Sequence, residues 1–90
     1  MAKEQTVENM SMKLMNLEVD ITKEKLKLIQ REEKLNEMKI KALKSEKIDK
    51  KKMSLKLAQV EEKLAKDKLL LSQREVKLYQ MKVALLKIQL

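Results

Sequence analysis

The sequence predicts an all-α protein: a long continuous coiled-coil helix with two apolar seams, with an antiparallel helical hairpin as the runner-up arrangement. Three observations predict it. The composition is rich in helix formers and empty of helix breakers. Apolar residues recur in two helical columns. The chain also contains an internal repeat.

Ala, Glu, Lys, Leu and Arg make up 54 of the 90 residues, above the roughly half of composition that marks long helices and coiled coils. Leu, Ile and Val supply 26 residues, but aromatics are only 1%. Apolar surface must therefore be buried helix against helix. Gly and Pro are both absent, so the tight turns of a sheet protein lack their usual residues.

With Leu14 as heptad position a, the a and d positions read Val7, Met10, Leu14, Leu17, Ile21, Glu24, Leu28, Arg31, Leu35, Met38 and Ala42. From Leu57 they read Leu57, Val60, Leu64, Asp67, Leu71, Arg74, Leu78, Met81, Leu85 and Ile88. In all, 17 of 21 are apolar, a coiled-coil seam. Positions f and b form a second column. Its apolar members include Met12, Met15, Val19, Leu26, Ile29, Ile40 and Leu43, then Leu55, Leu69, Val76, Tyr79, Val83, Leu86 and Leu90, and 16 of its 21 positions are apolar. At ~100° per residue the columns lie about 150° apart around the axis. One partner helix covers one seam only, so the second calls for another partner.

The strips between the seams are charged. Position e alternates in sign through Glu18, Lys25, Glu32, Lys39 and Glu46, then Glu61, Lys68, Glu75 and Lys82. Position g is mostly Lys: Lys13, Lys27, Lys34, Lys41, Lys56, Lys63 and Lys77. Such flanks select orientation and register more than they stabilise.

Segment 13–44 aligns with 56–87 at a shift of 43 residues, with 16 identities in 32 pairs. The clearest block is Gln30–Lys39 against Gln73–Lys82. A shift of 43 is close to twelve turns of helix at ~3.6 residues per turn, and this kept phase favours one continuous helix. The domain reading is a disordered N-terminus at 1–6, then a coiled-coil region at 7–90. That region contains repeats at about 12–47 and 55–90, and a basic, weak-core segment at 44–53. For the hairpin, Ser45 or Asp49 could cap a second helix.

Four d positions are charged: Glu24, Arg31, Asp67 and Arg74. A parallel, in-register pair would set like against like, which is costly at a seam. In an antiparallel pairing with facing residue numbers summing to 102, Glu24 lies beside Arg74 and Arg31 beside Asp67. These four residues are assigned the setting of orientation.

No chemistry of catalysis is legible. Without His or Cys there is no zinc site, thiol nucleophile or imidazole base. Without Gly there is no phosphate-cradling loop. No catalytic residue, metal ligand or cofactor is expected. The N-terminal residues read as neither a signal peptide nor a myristoylation site. No apolar run approaches the ~20 residues of a transmembrane helix. A soluble intracellular protein, cytoplasmic or nuclear, is the expectation.

The formal net charge is +8, and residues 39–56 hold eight Lys against Glu46 and Asp49. Lys44, Lys47, Lys50, Lys51 and Lys52 are the candidate polyanion contacts, for nucleic acid or an anionic surface. The stretch has no Arg and no aromatic, so base readout and stacking are unsupported. The Lys-Glu-Lys-Leu-Lys-Leu run at 23–28 is similar to coiled-coil tails of many eukaryotic DNA-binding and cytoskeletal proteins, a likeness of composition that implies no functional residue. The function expected is structural: self-association or scaffolding with a homo-oligomeric, antiparallel partner or another coiled-coil protein. The alternative is non-specific nucleic-acid binding through Lys39–Lys56.

Overall fold

The computed structural model describes residues 2–47 and 49–90, and side chains from Thr6 onward. It contains two helices, α1 (Ala2–Lys44) and α2 (Lys50–Gln89), packed antiparallel as a hairpin. The hairpin replaces the continuous helix that the sequence placed first. α1 begins at Ala2, inside the segment 1–6 expected to be disordered; Met1 lies outside the described residues.

The physical reason for the break is local. Carried past Ala42, the heptad would put Ser45, Asp49 and Lys52 on the seam, and none of these gains from burial. Asp49 instead caps α2. Its Oδ1 accepts the backbone N–H groups of Lys51 at 3.1 Å and Lys52 at 3.3 Å, satisfying two of the helix's free N-terminal donors. Ser45, the other candidate, donates its backbone N–H to the Lys41 carbonyl at 3.1 Å and closes α1. Lys41 and Lys44 sit in the last turn of α1, where cations favour the helix dipole. The first turn of α2 has no acidic residue and opens with Lys50, Lys51 and Lys52, so the Asp49 carboxylate just before it offsets that end.

The missing Gly and Pro did not forbid this turn. Among the described residues none has a positive φ, so those of the connection need none of glycine's extra freedom. Asp49→Ala is expected to cost about 1 kcal/mol, typical of a lost N-cap, with Asp49→Asn retaining most of the stability. Urea unfolding followed by helical circular dichroism checks this; equal midpoints for Asp49→Ala and the parent would exclude a capping role.

The chain divides into two compact units. One joins Met1–Lys25 to Leu70–Leu90, and its buried side chains are Ile21, Leu71, Leu78 and Leu85. The other is Leu26–Leu69, which contains the turn and buries Leu28, Leu35 and Leu64. All seven occupy heptad position a.

Candidate functional site

The candidate site is the set of surfaces that the helices present. The a column is spent inside the hairpin. The d column is not equivalent to it. Leu17, Met38, Val60, Met81 and Ile88 are half-buried, as are the charged d residues Glu24, Arg31, Asp67 and Arg74. Leu14 and Leu57, which belong to the a column, are also half-buried. The sequence treated a and d alike. In a two-helix packing one column fills the centre and the other lies at the rim.

That rim position is what makes charges tolerable in the seam. Within the first unit Arg74 donates to Glu24. Within the second, Arg31 Nη1 donates to Asp67 Oδ2 at 2.6 Å. The four side chains stay 33–40% exposed, so they pair without losing water entirely and escape the large desolvation cost of a buried ion pair. These are the two complementary pairs that the antiparallel alignment generates.

The e column completes the pattern. In the first unit Lys25 pairs with Glu75 at 3.2 Å and Lys82 with Glu18 at 2.7 Å. In the second, Lys39 pairs with Glu61 at 2.5 Å, and Lys68 pairs with Glu32. The Glu18 carboxylate, accepting a hydrogen bond from Lys82, raises that ammonium's pKa above its ordinary value. Lys82 Nζ also stands 5.5 Å from the centre of the Tyr79 ring, within cation–π range. No such pairing engages the g column: among the described residues, Lys13, Lys27, Lys34, Lys41, Lys56, Lys63 and Lys77 are exposed and make no ion pair.

The f and b columns are left uncovered. Among the described residues fifteen large hydrophobic side chains are exposed, and fourteen of them are f or b residues. They include Met12, Met15, Val19, Leu26, Ile29, Ile40, Leu43 and Leu55, then Leu69, Val76, Tyr79, Val83, Leu86 and Leu90; Leu70, at g, is the exception. No a or d residue is among them.

The candidate polyanion contacts Lys44, Lys47, Lys50, Lys51 and Lys52 are all exposed and form no ion pair among the described residues. The turn gathers them at one end of the second unit. Beside them an open cleft of about 310 Å³ is lined by Lys39, Ala42, Leu43, Lys50, Met53, Ser54 and Leu57. Its polar lining is the Lys39 and Lys50 amines and the Ser54 hydroxyl.

Two features escaped the sequence reading. One is the inequality of a and d, which only packing reveals. The other is that the alternating e charges pair helix to helix in one register; summing the numbers of opposite e charges to 100 would have found it. Among the described residues no group of three or more His, Cys, Asp or Glu could hold a metal ion. None of their helices is long and apolar enough to cross a membrane. No family model, curated protein or solved structure matches the chain.

Proposed function

We propose that this protein is a non-enzymatic structural element, a helical hairpin that self-associates or scaffolds through the apolar f and b columns its own fold leaves exposed. The observation that supports this best is the clean partition of its apolar residues: a and d turn inward, f and b stand in water. Scattered apolar residues on a surface are ordinary, but a column of them at helical spacing marks an interface.

Light scattering coupled to size exclusion, at low and high salt over a tenfold concentration range, tests it. The expected result is a species above the 10.6 kDa chain mass that persists or grows in high salt, since salts that strengthen apolar burial do not weaken it. The triple variant Leu26→Glu, Val76→Glu and Val83→Glu is expected to return the protein to chain mass with its helicity unchanged. A monomer under every condition would overturn the proposal.

One observation favours a second reading. Among the described residues, five lysines without ion pairs lie at or beside the turn, and the seven g lysines are unpaired as well. Such a surface would hold nucleic acid or another polyanion without base specificity, and that binding would collapse as salt rises.

A further inference from the structure

The ion pairs that join α1 to α2 in the two units are copies of one another. Adding 43 to one partner's number and subtracting 43 from the other's turns each pair of the first unit into a pair of the second. Lys25–Glu75 becomes Lys68–Glu32, Lys82–Glu18 becomes Lys39–Glu61, and Arg74–Glu24 becomes Arg31–Asp67. The shift is that of the sequence repeat. In the buried column it relates Ile21 to Leu64, Leu28 to Leu71 and Leu35 to Leu78.

Repeat 13–44 therefore meets, in repeat 56–87, a near replica of itself. Put repeat 13–44 in place of 56–87 and each of these ion pairs keeps opposite charges facing. Glu18 meets Lys39 of the copy, Lys25 meets Glu32, and Glu24 meets Arg31. The same holds for repeat 56–87, where Glu61 meets Lys82, Lys68 meets Glu75, and Asp67 meets Arg74.

We propose that each repeat is self-complementary, and that its a, d and e face fits the same repeat of a second copy of this chain, antiparallel and in the register seen within the hairpin. An opened chain then carries two such faces and joins a copy through each. Within one chain the short connection holds the repeats at an effective concentration in the millimolar range, so the closed hairpin wins when the protein is dilute. Exchange between chains takes over when in-chain pairing is disfavoured or the protein is crowded. This pairing uses none of the f or b residues, so it stands or fails separately from the function proposed above.

Charge exchange in one repeat separates the two pairings. The variant Glu61→Lys, Asp67→Arg, Lys68→Glu, Arg74→Asp, Glu75→Lys and Lys82→Glu keeps the net charge. It sets like against like in all six in-chain contacts. It keeps opposite charges facing when either repeat pairs with its own copy. A second variant adds the matching exchange in repeat 13–44 (Glu18→Lys, Glu24→Arg, Lys25→Glu, Arg31→Asp, Glu32→Lys and Lys39→Glu) and restores every in-chain pair. Both are measured with and without the triple substitution Leu26→Glu, Val76→Glu and Val83→Glu, which removes association through f and b.

The expected result for the first variant in the triple-substituted background is full helicity and at least a twofold rise in mass by light scattering, with return to the parent's mass in the second variant. A helical monomer from the first variant would overturn the proposal. So would loss of helicity in the first variant while the second folds, because copy-to-copy pairing would then fail to hold the helices. If the second variant does not fold either, the reversed charges are at fault, and cross-linking of the parent decides. Parent chains carrying Leu28→Cys, given oxidised glutathione as the oxidant, would then form a disulfide-linked dimer at millimolar concentration, and absence of that dimer would overturn the proposal.

Discussion

Replacing Leu35 or Leu78 by Ala is expected to cost about 2–4 kcal/mol each, the range for removing a buried Leu side chain with partial collapse of the cavity. The two are repeat equivalents, each is 6% exposed, and each lies in a different unit. A chain of this length commands about 5–13 kcal/mol in total. Its buried set is only seven side chains among the described residues, so the loss of one is a large share of the whole. The matched controls are Leu26→Ala and Leu69→Ala, also repeat equivalents, at 56% and 60% exposed. In dilute protein these should stay within about 0.5 kcal/mol of the parent. Urea unfolding monitored by helicity reads all four. Similar costs for the buried and exposed leucines would mean that the f and b columns, not a, carry the fold.

Glu24→Arg combined with Asp67→Arg is expected to cost about 2 kcal/mol, because it sets a new guanidinium beside Arg74 and another beside Arg31. These side chains are 33–40% exposed, and pairs open to water are worth about 0.2–1 kcal/mol each. Adding Arg31→Asp and Arg74→Glu reverses both pairs and should recover most of the loss. The recovery, read as a coupling energy in a mutant cycle, is the discriminating quantity. A quadruple variant no more stable than the double one would show that the four charges do not act in pairs.

Much of this could be read from the residues in order. The absence of Gly and Pro, together with 54 residues of Ala, Glu, Lys, Leu and Arg, admits little besides helix. Glu24 opposite Arg74 and Arg31 opposite Asp67 follow from one assumption, that the helices run antiparallel. The turn was harder to read. The kept phase of 43 residues argued for an unbroken helix, yet the same spacing keeps all six ion pairs between the helices in a common register. Asp49 in place of Ser45 as the cap depends on which side chain reaches the free N–H groups of α2, a matter of geometry that residue type alone leaves open.

The sequence by itself determined two helical columns of nearly equal apolar content, 17 of 21 and 16 of 21, and the charges that favour antiparallel pairing. Which column is buried was decided only by the tertiary structure. Burial belongs to a pair of surfaces, and a helix read alone has no partner to choose between. The column chosen is the one whose e and d charges find opposite charges across the packing. Within it, packing further separated a from d: one column fits between two helices at the centre, and the other meets water at the rim. The f and b columns, nearly as apolar, are left outside.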